Sequence, residues 1–347
     1  MGRRIAVVLF NLGGPDSLGA VRPFLFNLFK DPAIIQAPAA VRLPLAAAIA
    51  GARAKSARAN YAHMGGASPL LKETQAQADA LEAALQRSFP DDEPRVFLAM
   101  RYWRPFTEDA ARAVKAFGPD EVVLLPLYPQ FSTTTTASSL QAWNKAYRGR
   151  GQAHAVCCYY DHPSLIEAHV RKIRACWEAA GRPDSVRLLF SAHGLPEKCI
   201  KAGDPYQWQV EATCRAILER LDWPWDHRIC YQSRVGPLKW IGPTTTEAIA
   251  EACQDGMGVL IDPVAFVSEH VETLVELDRD YAKVAEDTGC AVYLRAGAIG
   301  ADEGFIEGLA QMAVQVLAAP GVAPASPMCD EACRKCPMRA GAELTGA

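Results

Sequence analysis

The chain has 347 residues, half of them hydrophobic, and a formal net charge of −3 at pH 7. This length is enough for a sizeable core and two domains, and the weakly acidic balance argues against a nucleic-acid partner. The apolar run near the N-terminus is too short for a signal peptide, and the 11 cysteines are not those of a small secreted domain. We therefore expect a cytoplasmic protein.

Short apolar runs alternate with longer periodic segments along the chain. The runs predict eight strands, near residues 4–10, 95–101, 121–127, 154–160, 186–191, 228–232, 258–262 and 291–295. Segments between them, such as 69–88 and 271–286, have the period of amphipathic helices. Strands separated by helices predict parallel sheets covered by helices, with ligands bound beyond the carboxyl ends of the strands.

Residues 33–58 form an apolar, Ala-rich segment that also carries basic side chains. Arg42 and Pro44 interrupt this segment, so it does not predict a membrane-spanning helix. Two interpretations stay open: a pair of core helices, or an apolar lip that contacts a bilayer and a lipophilic ligand.

The two halves of the chain share a pattern. Three segments of the first half resemble three of the second in the same order: 7–17 and 187–197, 97–110 and 230–248, 121–140 and 258–274. We infer two similar doubly wound α/β domains, residues 1–150 and 151–320, followed by a cysteine-containing tail, 321–347. The strand ends of the two domains would face one another across a cleft.

His193 follows the apolar run of its predicted strand and precedes a Gly and a Pro. These two residues would turn the chain and leave the imidazole facing the crevice. The alternative is a histidine with satisfied hydrogen bonds at a sheet edge. The position at a strand tip favours a functional side chain.

An acidic row follows the equivalent strand tip later in the chain. A helix predicted to start near Ser268 places Glu269, Glu272, Glu276 and Asp280 on one side, with His270 beside them. On an isolated helix such a row is a solvated face. In a cleft, stacked carboxylates require a proton or a cation, and histidine with carboxylates suits a divalent transition metal.

Aromatic and basic residues follow corresponding strands of both halves: Arg101, Tyr102 and Trp103 in the first, Arg234 and Trp240 in the second. Flat side chains beside arginines suit a flat acidic ligand, although aromatic residues at strand ends are often ordinary core.

The tail contains three closely spaced cysteines, Cys329, Cys333 and Cys336. In a cytoplasmic chain this spacing indicates a metal or iron–sulfur site. The adjacent pair Cys157 and Cys158 is the candidate source of a fourth ligand. Structural zinc is the alternative to a cluster.

These blocks together resemble the ferrochelatase family. FNLGGPDS, YPQFSTTTT, LLFSAHGLP, YQSRVGPLKWIGP and FVSEHVETLVELD each resemble a family block in the family's order, and the resemblance covers residues 5 to about 318. It implies two chelatase-type α/β domains around a cleft. It also implies insertion of Fe(II) into protoporphyrin IX with release of two protons, the terminal step of heme synthesis.

The resemblance also implies residue roles. His193 and Glu272 match the central pair that handles the substrate iron, while Glu269, His270 and Glu276 match a proton or metal path. Porphyrin-lining positions correspond to Leu12, Arg101, Tyr102 and Trp240. We expect Glu272 on the opposite side of the cleft from His193.

The tail cysteines resemble the [2Fe–2S] ligands of some family members. Animal members carry a further cluster cysteine after the YPQ block, where this chain has Thr133. The fourth ligand must therefore differ, and we assign it to Cys158, with Cys157 as the alternative.

Expected partners are a porphyrin and ferrous iron. Peripheral contact of residues 33–58 with the inner face of the membrane and association into a homodimer are further alternatives. Rival functions are a coproporphyrin ferrochelatase, another tetrapyrrole chelatase such as one for sirohydrochlorin, and a tetrapyrrole or metal carrier without chemistry.

Overall fold

The computed structural model describes residues 2–222, 226–318, 321–324 and 328–340. Five parallel strands form the first sheet in the order β2-β1-β3-β4-β9: β1 (Arg4–Asn11), β2 (Glu93–Met100), β3 (Glu121–Pro126), β4 (Gln152–Val156) and β9 (Val322–Ala323). Residues Ile5–Phe10 are completely buried. A continuous apolar run is typical of a parallel strand that is covered on both faces.

Four parallel strands form the second sheet in the order β6-β5-β7-β8: β5 (Val186–His193), β6 (His227–Gln232), β7 (Gly258–Asp262) and β8 (Tyr293–Arg295). This order repeats β2-β1-β3-β4 of the first sheet. The predicted fold class, two similar parallel-sheet α/β domains, is therefore confirmed.

Helices flank both sheets. Their bounds are α1 (Val21–Phe29), α2 (Ala39–His63), α3 (Leu70–Ser88), α4 (Thr107–Phe117), α5 (Thr136–Ala146), α6 (Pro163–Ala179), α7 (Glu197–Lys201), α8 (Tyr206–Leu221), α9 (Thr245–Gln254), α10 (Ala282–Asp287), α11 (Glu303–Ala318) and α12 (Pro337–Ala340). A reciprocal capping box starts α9: Thr244 Oγ1 accepts from the Glu247 amide, and Glu247 accepts from the Thr244 amide.

The first sheet uses residues from both ends of the chain. β4 pairs with β3, so this sheet continues past residue 150, and the chain returns to it through α11 and β9. Apolar residues of α11 pack in one cluster with β1 and α3. The first sheet therefore combines strands from the first 156 residues with a return of the chain near residue 322, and α11 is buried against this sheet.

The acidic row does not lie on an α-helix that starts near Ser268. Residues 268–270 are irregular, and a π-helix spans Glu272–Tyr281, followed directly by α10. The polar groups before it have partners of their own: the His270 amide donates to Thr273 Oγ1 at 2.9 Å, and Glu269 accepts from Ala298. These contacts hold the segment outside the helix, so Glu269 and His270 precede it.

Residues 33–58 lie largely within α2, which contains Pro44. Ala46, Ala50 and Tyr61 are buried against α1 in one apolar cluster, so one face of the helix belongs to the core. The start of the same helix exposes Val41, Leu43 and Leu45, by 57%, 44% and 42%. Within the described ranges, no helix is long and apolar enough to cross a membrane.

Cys253 and Cys290 form a disulfide with Cα atoms 4.9 Å apart. The bond connects the end of α9 to the segment that follows α10.

Candidate active site

His193 is the last residue of β5, as its position in the sequence predicts. Its Nδ1 lies 2.6 Å from the Gly194 carbonyl oxygen. Because a carbonyl only accepts hydrogen bonds, Nδ1 carries the proton and Nε2 is left for another proton or a metal. The chain is tightly packed here, since a Cβ on Gly194 would lie 3.1 Å from the Trp240 ring.

Glu272 lies between two imidazoles. Its Oε1 is 3.6 Å from His193 Nε2, and its Oε2 is 3.7 Å from His270 Nε2. Burial raises the pKa of Glu272, but the two histidines outweigh it and lower this pKa to about 2. Glu272 lies beside His193 rather than across the cleft, because β5 and β7 are neighbours in one sheet.

Glu276, one turn further along the π-helix, is surrounded by donors. It accepts from Gln232 Nε2 at 3.0 Å, from the Ser233 amide at 3.0 Å, from the Ser233 hydroxyl and from Tyr281 Oη at 3.2 Å. Burial and the negative charge of Glu272 nevertheless raise the pKa of Glu276. The pKa of Glu272 is therefore lowered and that of Glu276 is raised, although the two residues are neighbours on one helix.

Glu269 forms an ion pair with Arg295. Its Oε1 lies 2.6 Å from Arg295 Nη1 and 2.9 Å from the Ala298 amide. Burial raises the pKa of Glu269, but Arg295 outweighs it and the net pKa is lowered. His270 is nearly buried, with its ring against Phe266, whereas Asp280 is exposed and does not join the row.

The porphyrin-lining positions predicted in the first domain cluster at the tips of β1 and β2. The Tyr102 amide donates to the Leu12 carbonyl at 2.9 Å. Tyr102 is only 1% exposed, and its hydroxyl donates to Asp31 at 2.9 Å. Arg101 lies 2.7 Å from the same Asp31 oxygen and 2.8 Å from Ser138 Oγ. Asp31, which the sequence analysis does not identify, therefore binds both the Tyr102 hydroxyl and the Arg101 guanidinium.

The two domains meet at the start of the π-helix. Val271 packs against the apolar cluster of α1 and α2 that includes Tyr61 and Leu12. The positive charge of Arg53 helps to lower the pKa of Glu272, while burial and the charge of Glu272 raise the pKa of Tyr61. In the sequence, Arg53 is one of several basic residues in the apolar segment 33–58, and no pattern there indicates its proximity to Glu272. Trp240 lies beside His193 in the second domain, and the centroids of the two rings are 6.3 Å apart.

The tail cysteines form a separate buried cluster. Cys329, Cys333 and Cys336 pack together with Trp208 and Met338. Gln209 Nε2 donates to Cys329 Sγ at 3.1 Å. A hydrogen bond from Cys329 outweighs burial and, with nearby backbone amides, lowers the pKa of Cys336 to about 6.

Cys158 is buried near this cluster. A hydrogen bond with Cys157 and burial raise the pKa of Cys158, with Cys336 among the charged neighbours. Over the part of the chain that the structure describes, no three His, Cys, Asp or Glu side chains already have the arrangement of a bound metal ion.

Two parallel-sheet domains with a histidine–carboxylate group at the strand tips define a chelatase-type protein. Bacillus subtilis SirB, solved with Fe3+, has a TM-score of 0.53 and 12% identity, covering 91% of this chain and 96% of its own. The sirohydrochlorin chelatase SirB of B. subtilis subspecies spizizenii, in complex with cobalt, has a TM-score of 0.51 and 9% identity, with 92% and 97% covered. At these identities the likeness concerns the fold alone.

The chain belongs to the ferrochelatase family, whose sequence model matches residues 4–317. The ferrochelatase of Caulobacter vibrioides (strain NA1000 / CB15N) is 60% identical over 347 residues, covering 99% of both chains. That of Phenylobacterium zucineum is 58% identical over 339 residues, covering 97% of this chain and 99% of its own. The protein is therefore an enzyme that inserts ferrous iron into a porphyrin, the terminal step of heme synthesis.

Proposed function

We propose that His193 and Glu272 form the centre that handles iron and protons, and that the porphyrin is protoporphyrin IX. The observation that carries this proposal is the Glu272 carboxylate, held between two imidazoles at 3.6 and 3.7 Å. One of these imidazoles, His193, has its Nδ1 proton committed to Gly194 and its Nε2 directed at Glu272. This donor set suits ferrous iron as a substrate that must be bound and released.

Metal insertion replaces two pyrrole N–H protons by one Fe2+, so the site must accept two protons. His193 Nε2 accepts the first, and the ionised Glu272 stabilises the imidazolium that forms. Glu276 then holds a proton more readily than an ordinary carboxyl group, because its pKa is raised. The order His193, Glu272, Glu276 provides a route for protons away from the ring, and the same carboxylates attract the incoming cation.

Porphyrin binding supplies the remaining part of the mechanism. Trp240 beside His193 and Leu12 on the first domain would contact the faces of the ring. Arg101 and Tyr102 shape this end of the site, although Asp31 restrains both. A ring held bent between these walls would expose its nitrogen lone pairs to iron, with the strain supplied by binding elsewhere on the ring.

An anaerobic assay with iron(II) and protoporphyrin IX tests this assignment. We expect His193→Ala and Glu272→Gln each to reduce kcat by roughly 10²-fold or more while the proteins stay folded. His227→Ala, an exposed histidine at the start of β6, is the matched control and should keep wild-type turnover. A His193→Ala enzyme with normal turnover would overturn the assignment.

The choice of ring is tested in the same assay. Faster turnover of coproporphyrin would replace protoporphyrin IX as the substrate, and activity only with sirohydrochlorin or cobalt would indicate another chelatase. Tight porphyrin binding without turnover on any ring would support a carrier.

We further propose that Cys158, Cys329, Cys333 and Cys336 hold a [2Fe–2S] cluster. The buried sulfur cluster and the lowered pKa of Cys336, which favours a thiolate ligand, support this donor set. Cys158 is favoured over Cys157 because Cys336 and Cys329 interact electrostatically with it. When bound, such a cluster would supply redox-sensitive iron chemistry. A brown protein that contains iron and sulfide in equal amounts would support the proposal. A colourless protein that contains zinc would instead indicate a structural zinc site.

We also propose a cytoplasmic location in which the start of α2 makes peripheral contact with the inner face of the membrane. Its exposed Val41, Leu43 and Leu45 lie close to the basic Arg42, a combination suited to an anionic bilayer surface. Sedimentation with anionic phospholipid vesicles, compared between wild type and Leu43→Asp, tests this contact. Association into a homodimer stays a prediction.

A further inference from the structure

We propose that Arg295 is a positioning residue for the iron site. Its guanidinium ties Glu269, in the segment that enters the π-helix, to Asp278 in the body of that helix. This pair of contacts sets the direction in which the π-helix presents Glu272 and Glu276. The inference rests on the proposed roles of those two glutamates.

The contacts of Arg295 have the geometry of strong, charge-assisted hydrogen bonds. Nη1 lies 2.6 Å from Glu269 Oε1, while Nε and Nη2 lie 2.7 and 2.6 Å from the two Asp278 oxygens. The Arg295 side chain is 13% exposed, and the carboxylates are 22% and 33% exposed. Three nitrogens of one planar group thus hold two carboxylates that lie on either side of the helix start.

A π-helix needs such external support. It is a rare conformation that normally persists for a single turn, and this one spans Glu272–Tyr281. Two neutral donors also hold its backbone: Gln232 Nε2 donates to the Glu272 carbonyl at 2.9 Å, and Tyr293 Oη to the Leu277 carbonyl at 2.5 Å. Arg295 differs from both because it joins the helix to the segment before it.

Loss of Arg295 would change the site through its carboxylates. Glu269 and Asp278 would keep their negative charges without a common cation, and the segment from Glu269 to the helix would be free to shift. The carboxylate of Glu272 lies 3.6 Å from His193, so a displacement of about 1 Å separates them, and misplacement on this scale costs roughly 10²-fold in rate. Lysine cannot replace the guanidinium fully, because a point charge cannot hold both carboxylates in this fork.

Steady-state kinetics on the full-length enzyme test the inference. Arg295→Met should reduce kcat/KM for Fe2+ by roughly 10²-fold, through a higher KM for iron and a lower kcat, while porphyrin affinity changes less than about twofold. Arg295→Lys should recover part of the loss. Arg279→Met, which removes an exposed arginine of the same helix, is the matched control and should resemble wild type.

Asp278→Asn provides a second test of the same ion pairs if Arg295→Met does not fold. It removes the charge of the more exposed carboxylate and leaves the Glu269 pair in place, so we expect about a tenfold loss in kcat/KM for iron. Folded variants with wild-type iron kinetics would overturn the inference, as would an equal loss of porphyrin affinity, which indicates general damage. Absence of turnover in the wild type would instead overturn the proposed function.

Discussion

Glu272 and Glu276 lie four residues apart on one π-helix, yet their surroundings move their pKa values in opposite directions. Two imidazoles hold Glu272 ionised with a pKa of about 2. The hydrogen-bond donors to Glu276 are neutral, and burial together with the negative charge of Glu272 outweighs both these donors and the charge of His193, so the pKa of Glu276 is raised. Environments that separate the pKa values of two carboxyl groups are typical of sites that move protons.

Stability should depend on pH through Glu276. Its pKa in the folded enzyme is raised, so its contribution to stability is present at acidic pH and is lost as pH rises through the raised value. Glu276→Gln carries no charge at any pH. We therefore expect its free energy of unfolding, relative to wild type, to increase between about pH 4 and pH 8 in urea titrations, while turnover falls at least about tenfold.

Glu272→Gln is the control for this pH dependence. It removes the negative charge that raises the pKa of Glu276, so the pH dependence of unfolding attributable to Glu276 should shrink. A difference between Glu276→Gln and wild type that stays constant from acidic to neutral pH would show that Glu276 titrates normally.

The sequence identifies some of these residues and cannot identify others. His193 and Glu272 follow apolar strands and lie in family motifs, so local sequence patterns are enough to propose them as site residues. Asp31 and Arg295 act through partners distant in the chain, Tyr102 in one case and Glu269 in the other. No short-range pattern encodes such pairs, and Arg101 and Tyr102 were therefore assigned to the porphyrin pocket without their buried carboxylate.

The elements follow from sequence more reliably than their exact helical form. Apolar runs predicted all eight longer strands to within a few residues, because buried parallel strands carry a local signal. The sequence predicts an α-helix where the structure has a π-helix, since both forms place residues four apart, such as Glu272 and Glu276, on similar faces. The wider turn depends on donors from β6 and β8, which the segment itself does not encode.

The cysteine tail is an element whose position depends on the turn between α7 and α8. The Lys335 amide donates to the Gly203 carbonyl at 2.9 Å, and Gly203 has a φ of +96°. A Cβ at this position would lie 3.0 Å from the Arg334 amide nitrogen. Gly203 thus allows both the left-handed turn and the close approach of the tail.

Gly203→Ala should loosen the tail. We expect faster tryptic cleavage after Arg334 and Lys335 and a lower content of iron, or of zinc if zinc is the bound metal. Gly256→Ala is the matched control, because Gly256 also has a positive φ, +71°, but no atom within 4 Å of its Cβ position. Both variants should lose about 1 kcal/mol from backbone strain. Equal cleavage rates in the two variants would contradict the role of Gly203 in docking.

At the scale of the whole molecule, the proposed active site has one wall on each domain, so its geometry depends on how the domains are joined. Buried amides make this connection. Gln77 of α3 donates to the carbonyls of Val267 and Gly300 at 3.1 and 3.0 Å and accepts from Ser268 at 3.0 Å. Gln130, after β3, donates to Thr213 of α8 at 3.0 Å. The contacts of Gln77 fix the segment that leads directly to Glu269 and Glu272.

Gln77→Leu should therefore affect stability and both substrates together. Three buried polar groups would lose their partner, at a cost of about 3 kcal/mol in the free energy of unfolding. Because the two walls would no longer be held in register, porphyrin affinity should fall along with iron turnover, unlike in the Arg295 variants. Gln75→Leu, an exposed position on the same helix, should leave all three quantities unchanged. A Gln77→Leu enzyme with wild-type porphyrin affinity and stability would show that apolar packing of Leu165 and Val267 against the cluster of β1 and α3 is enough to fix the two domains.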